Sequence, residues 1–279
     1  MATLVALHAH PDDECMMQSG SLSKAVDDGH RVVLVYATGG ELGEVPDGLL
    51  APGESLLDRR ALEARRSAEV IGVHRLVWLG YGDSGMAGTL ANDDPRSFAR
   101  ADVDEAAARV AAVLREEAAD VITIYDARGT YGHPDHVQVH RVGARAAELA
   151  GTPHVLEATW SSDHIRRLIE QAVESAAVDP AELPNAEGSD FIVGVPDAVI
   201  TTRVDVTPWL ERKRTSMAAH ASQVGDTGTF LSMPPEAFAA AMGQEFYIRR
   251  GVPAGHRDDD VFAGVRLPAQ AGQAAMPDQ

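Results

Sequence analysis

The sequence predicts an α/β fold: a Rossmann-like, mostly parallel sheet with helices on both faces, plus a smaller C-terminal α/β portion. Three observations predict it. Short apolar runs alternate with helix-period segments through the first half of the chain, the pattern of repeated βαβ units. The 279 residues suit one large α/β domain with a modest addition. Two of the first four predicted strands run into clusters of histidine and aspartate, which is where open α/β sheets bind ligands.

The elements follow in order. Thr3–Leu7 is a compact strand, and Ser21–Asp28 a helix stopped at Gly29. Arg31–Ala37 is a β-branched strand ending at Gly39-Gly40. Glu54–Ile71 is a long helix with Gly72 beyond it, and Arg75–Leu79 a third strand. Val103–Ala118 is an alanine-rich helix, Val121–Tyr125 a fourth strand, and Val137–Ala150 a helix stopped at Gly151. The later chain is less regular. It predicts a strand at His154–Trp160, a helix at Ile165–Ala177 and a surface loop at Asp179–Ser189. Beyond these come an alternating strand at Ala198–Val206, helices at Pro208–Ala221 and Pro235–Met242, and a strand at Glu245–Arg249. Residues 1–160 read as the core carrying both clusters. Residues 161–266 complete the sheet and the pocket, and 267–279 form a polar, disordered tail.

Composition narrows the function. The formal net charge of −18 repels phosphate backbones and anionic lipid, so nucleic acid and membrane are excluded as expected partners. The single cysteine, Cys15, rules out an intrachain disulfide and fits a reducing cytoplasm. No run is apolar for long enough to span a bilayer, and the N-terminal run lacks a basic leader. The sequence does not decide between a monomer and a homo-oligomer.

The first strand enters His8-Ala9-His10-Pro11-Asp12-Asp13-Glu14. The fourth passes Asp126 into Tyr131-Gly132-His133-Pro134-Asp135-His136. A catalytic zinc takes three nitrogen or oxygen ligands and keeps one position open. His10 and Asp13 are three apart, as are His133 and His136, and residues so spaced share a face where a chain enters a helix. Pro11 and Pro134 suit such entries. Any three of these four can bind a metal, leaving the fourth for chemistry. Asp12, pointing away from Asp13, is the natural general base. The spare histidine can hold an oxyanion and later protonate an amine, with Asp135 as the nearest group to orient it. A lone His-Pro-Asp triplet is an ordinary turn, but two, both at strand ends and both followed by a further ligand type, point to a metal site. His8 reads as a packed neighbour, and His30, His74, His154, His164 and His256 as surface or packing residues. The donor set suits Zn2+, and also Fe2+ or Co2+.

Ala9–Asp13 and His133–His136 resemble the paired signatures of the PIG-L/LmbE-like zinc-dependent deacetylases, and the resemblance runs at least from Thr3 to Gly151. It continues at Ala219-His220-Ala221-Ser222-Gln223, which looks like a late motif of the family. The resemblance implies that His10, Asp13 and His136 hold zinc, that Asp12 is the general base, and that His133 stabilises the oxyanion with Asp135 in support. It implies that Tyr131 helps polarise the substrate carbonyl. Gly40–Val45 and Asp83–Thr89 look most like the branch acting on N-acetylglucosaminyl-inositol in mycothiol synthesis. In that branch Glu44, Arg60, Asp83 and Met86 would contact the sugar and inositol. Without the resemblance, Arg60 reads equally as a helix-surface partner of Glu63 or Glu54, and Asp83 as a turn residue. The stretch between Val45 and Leu57 and the C-terminal region depart from the family pattern. The implied activity is removal of an N-acetyl group from a small amino-sugar. The alternatives are cleavage of a mycothiol S-conjugate by the same site, and metal binding without catalysis.

Overall fold

The computed structural model describes residues 1–174, 194–253 and 255–266, apart from the side chain of residue 226. The loop expected at Asp179–Ser189, the last residues of the helix expected at Ile165–Ala177 and the tail 267–279 lie outside the described residues.

The first half alternates as the apolar runs require. Strand β1 (Thr3–His8) leads into helices α1 (Asp13–Met17) and α2 (Ser19–Asp27), then β2 (Arg31–Thr38), α3 (Leu56–Ile71) and β3 (Arg75–Tyr81). Helix α4 (Val103–Glu116), β4 (Val121–Tyr125), α5 (Pro134–Ala150) and β5 (His154–Thr159) complete the parallel part. After α6 (Ser162–Glu174) come β6 (Thr202–Asp205), α7 (Leu210–Ala219), α8 (Val224–Ser232), α9 (Pro235–Met242) and β7 (Gln244–Arg249). All seven strands lie in one sheet of order β3-β2-β1-β4-β5-β7-β6. Strand β7 runs antiparallel to both β5 and β6, so the C-terminal portion extends the same sheet.

Strands β1, β2 and β4 are covered on both faces and read as unbroken Val/Ile/Leu runs. Helices α2, α3 and α7 pack against one another, and α4 packs along α5, so the sheet carries a helical layer on each side. Among the described residues no helix is long and apolar enough to cross a membrane.

Four expectations need correction. The helix expected from Ser21 begins at Ser19, and a separate short helix, α1, precedes it over Asp13–Met17. Helix α5 starts at Pro134 rather than Val137, because His133 caps it. The strand expected over Ala198–Val206 shrinks to Thr202–Asp205, because Pro196–Val199 closes a turn. Helix α8 was not expected from a segment containing Gly225 and Gly228.

Candidate active site

Strands β1 and β4 are neighbours, and the strand order reverses between them. Their carboxyl ends therefore open onto one crevice. Both histidine–aspartate motifs emerge there.

The chain leaves β1 through His10 and Pro11 and turns sharply at Asp12, whose φ of 98° is left-handed. That region is uncommon for a residue with a side chain. The turn sends successive carboxylates apart. Asp13 Oδ2 accepts the His10 backbone N–H at 2.8 Å and lies 3.5 Å from His10 Nδ1. Asp13 Oδ1 stands 3.2 Å from His136 Nε2. Asp12 instead accepts from Arg60 Nη2 at 3.1 Å.

The second loop is pinned by Asp126. Its carboxylate accepts the Arg128 and Thr130 amides and the Thr159 hydroxyl. Gly129, at φ 65°, lets the loop press back on α5: a Cβ there would fall 2.7 Å from the Val137 amide nitrogen. His133 then caps α5, its Nδ1 accepting the Asp135 amide at 3.1 Å. A nitrogen that accepts carries no proton, so neutral His133 keeps its proton on Nε2. His133 stands edge-on to His10 with ring centroids 4.7 Å apart, and His136 lies 5.4 Å from His10.

His10, His133 and His136 each place a ligand atom within 4.8 Å of the others, and all are buried. His136 Nε2 is buried with no hydrogen-bond partner. An orphaned imidazole nitrogen beside a carboxylate is what a metal ligand looks like without its metal. Asp13 lies beside both histidines, one carboxylate oxygen towards His10 and the other towards His136. The nitrogen and oxygen donors fit a divalent ion of the zinc type.

Asp135 departs from expectation. Its carboxylate turns from His133 to accept the Ser84 amide at 2.9 Å, the Ser84 hydroxyl, and His10 Nε2 at 3.2 Å. Only its amide serves His133, because the first amides of a helix point back towards the cap. Asp135 therefore orients His10, leaving His10 Nδ1 towards Asp13.

The proposed sugar contacts divide. Glu44 and Met86 are exposed, and Tyr131 is 40% exposed beside His136. Asp83 is buried, accepts the Leu42 and Gly85 amides, and lies 3.6 Å from His10 Nε2. Arg60 is 3% exposed and is no helix-surface partner of Glu63 or Glu54. It bonds to Pro11 O, Asp12, Gly40 O and Gln223, whereas Glu54 pairs with the neighbouring Arg59. His8 is a packed neighbour, bonded to the Tyr125 hydroxyl at 2.9 Å. Sequence reasoning gave no role to Glu14, Ser67 or Ser84. The late motif at 219–223 pointed to the surroundings of Glu14 and Ser67, and the Asp83–Thr89 stretch contains Ser84 itself.

Burial raises the Asp12 carboxyl to about 7 against the pull of Arg60. Burial and the neighbouring His10 and His136 lower His133 to about 4. Burial alone would lower His10, but its bonds to Asp13, Asp135 and Asp83 push it up. A bound divalent ion displaces the protons of its ligands and lowers such values. The arrangement thus offers a base, an Nε2–H donor and a donor set for one ion around a single point.

Comparison with known proteins gives consistent matches. The sequence model of the family described as "PIG-L: GlcNAc-PI de-N-acetylase" matches residues 5–147. A 1D-myo-inositol 2-acetamido-2-deoxy-alpha-D-glucopyranoside deacetylase of Geodermatophilus obscurus is 37% identical over 287 residues, covering 94% of this chain and 97% of that protein. The protein of the same name from Thermobifida fusca is 39% identical over 247 residues, covering 82% and 86%. Among solved structures, the N,N'-diacetylchitobiose deacetylase of Pyrococcus horikoshii superposes with a TM-score of 0.57 at 20% identity, covering 88% of this chain and 83% of that one. At that identity the likeness is one of fold.

Proposed function

The chain belongs to the PIG-L family of GlcNAc-PI de-N-acetylases, and from that premise we propose that it is a metal-dependent hydrolase removing the N-acetyl group of an amino-sugar such as N-acetylglucosaminyl-inositol. The observation that carries the reading is the Asp13 carboxylate set between His10 and His136, one oxygen 3.5 Å from His10 Nδ1 and the other 3.2 Å from His136 Nε2, with Asp12 turned aside.

In this reading His10, Asp13 and His136 hold the ion, Zn2+ in preference to Fe2+ or Co2+. When bound, the ion supplies Lewis acidity and lowers the pKa of water. Asp12 takes a proton from the attacking water as its oxygen bonds to the amide carbon. His133 donates its Nε2–H to the developing oxyanion, and Tyr131 flanks the same carbonyl. The C–N bond then breaks, the amine leaves with the proton that Asp12 took from the water, His133 keeps its Nε2–H, and acetate remains. Glu44, Asp83 and Met86 line the approach for the sugar. The lone buried Cys15 and the acidic surface support a cytoplasmic setting.

The test is a panel of N-acetylated amino-sugars, with and without inositol, and a cysteine conjugate, assayed for free amine after zinc loading. Amine release from the inositol-bearing sugar, lost with chelator, is expected. Asp12→Ala should cut turnover to a small residual rate and keep its metal. Release only from the cysteine conjugate moves the activity to the amidase reading, and release unaffected by chelator ends the metal-site reading.

A further inference from the structure

The residue assigned to proton transfer sits in a left-handed turn, and two parts of the chain remote from both motifs converge on it. The Asp12 amide donates to Glu14 Oε2 at 3.0 Å. Glu14 Oε1 accepts from His220 Nε2 at 2.7 Å and from the Ser67 hydroxyl. The Asp12 carboxylate accepts from Arg60 Nη2, which also holds Pro11 O. Arg60 Nη1 reaches Gly40 O at 2.7 Å and Gln223 Oε1 at 3.1 Å. Glu63 fastens the assembly, accepting the Ser222 amide and hydroxyl at 3.0 and 2.6 Å.

Arg60, Glu63 and Ser67 lie at i, i+3 and i+7 of α3, so they share one face. That face is buried, with Arg60 at 3%, Glu63 at 1% and Ser67 at 0% exposure. A core-facing helical stripe is normally apolar. Burying an ion pair there adds little net stability compared with well-packed hydrophobic residues. What these groups supply is direction: Arg60 reaches the Asp12 carboxylate in one hydrogen bond, Ser67 reaches the Asp12 amide in two through Glu14, and Glu63 holds Ser222 beside Gln223.

We propose that Arg60 and His220 are positioning residues that lock Asp12 in its left-handed turn, Arg60 through the carboxylate and His220 through Glu14 and the Asp12 amide. This rests on the reading of Asp12 as the base. It gives the late motif at 219–223 a role, and it removes Arg60 from the residues that touch the sugar.

Steady-state kinetics on zinc-loaded Arg60→Lys, His220→Ala and His220→Gln, with metal content measured in parallel, tests it. Lysine cannot span the four acceptors of Arg60. Arg60→Lys and His220→Ala should each lose about ten- to a hundredfold in kcat, with KM and metal content unchanged. His220→Gln, which keeps an N–H for Glu14, should recover most of that loss. In an Asp12→Ala background, His220→Ala should lower the residual rate no further, because the two act as one unit. A raised KM with intact kcat in Arg60→Lys would return that residue to the sugar and overturn the proposal. Losses that multiply in the Asp12→Ala background would do the same. Wild-type turnover by Asp12→Ala alone would instead overturn the assignment of the base. If His220→Ala does not fold, Arg60→Lys and His220→Gln carry the same comparison.

Discussion

At the scale of single residues the two histidines of the second motif differ in their partners. His133 is tied by its cap to the Asp135 amide, whereas His136 Nε2 faces the Asp13 carboxylate at 3.2 Å. Two substitutions therefore diverge. Asp13→Ala should lose the metal, measured by atomic absorption after gel filtration. His133→Ala should keep it and lose about 10²–10³-fold in kcat. Loss of metal from His133→Ala would place that histidine among the ligands. The spacing of His10 and Asp13, and of His133 and His136, was legible because proline at a helix entry fixes which residues share a face. The direction of Asp135 was not. Its carboxylate answers to Ser84, 51 residues earlier, and no local spacing encodes that. The surface reading of Arg60 failed for a similar reason, since its partners Gly40 and Gln223 lie 20 and 163 residues away.

Among elements, α5 carries the greatest responsibility, presenting His133 and His136 from one end while its middle seats against β4. Gly143 makes that seat: a Cβ would lie 2.3 Å from Ile124 Cγ2. Gly143→Ala should destabilise the protein by about 1–3 kcal/mol through overpacking, read as a lower melting temperature. It should also lower kcat, because the helix that shifts carries the site. A second element-scale prediction concerns Glu117, after α4, which binds Arg31 at the start of β2 and Arg75 at the start of β3. The hydrogen bond from Arg31 holds its carboxyl below the ordinary range despite partial burial. A depressed pKa contributes stability above the unfolded value, lost as pH falls through the folded one. Glu117→Gln should therefore melt earlier than the parent at pH 7, and the gap should close on acidification below about pH 4. A gap that persists in acid would show that packing, and not charge, is at work. Helix existence was legible where alanine and leucine recur at helical spacing, as in α4. It was obscured in α1, whose buried face carries Asp13 and Glu14, because polar core residues erase the apolar period.

For the whole molecule, the alternating first half made the parallel sheet legible, while the antiparallel return of β7 was hidden in a C-terminal region with weak periodicity. That return is fastened by one buried pair. Lys213 Nζ meets Glu245 Oε1 at 2.6 Å, and Glu245 also accepts the Gly20 and Ser21 amides at the start of α2. Lys213→Ala leaves a carboxylate buried without its cation and should cost about 3–5 kcal/mol, measured by urea unfolding. Lys213→Ala together with Glu245→Gln should recover part of that loss. The brace on Asp12 has the same long reach, since His220 meets Glu14 across 206 residues. During synthesis, both histidine–aspartate motifs and five parallel strands leave the ribosome before α7 exists. On the proposed reading a nascent chain at that stage carries the ion's ligands before the brace on Asp12 exists, so the capacity to hydrolyse waits for His220 to emerge.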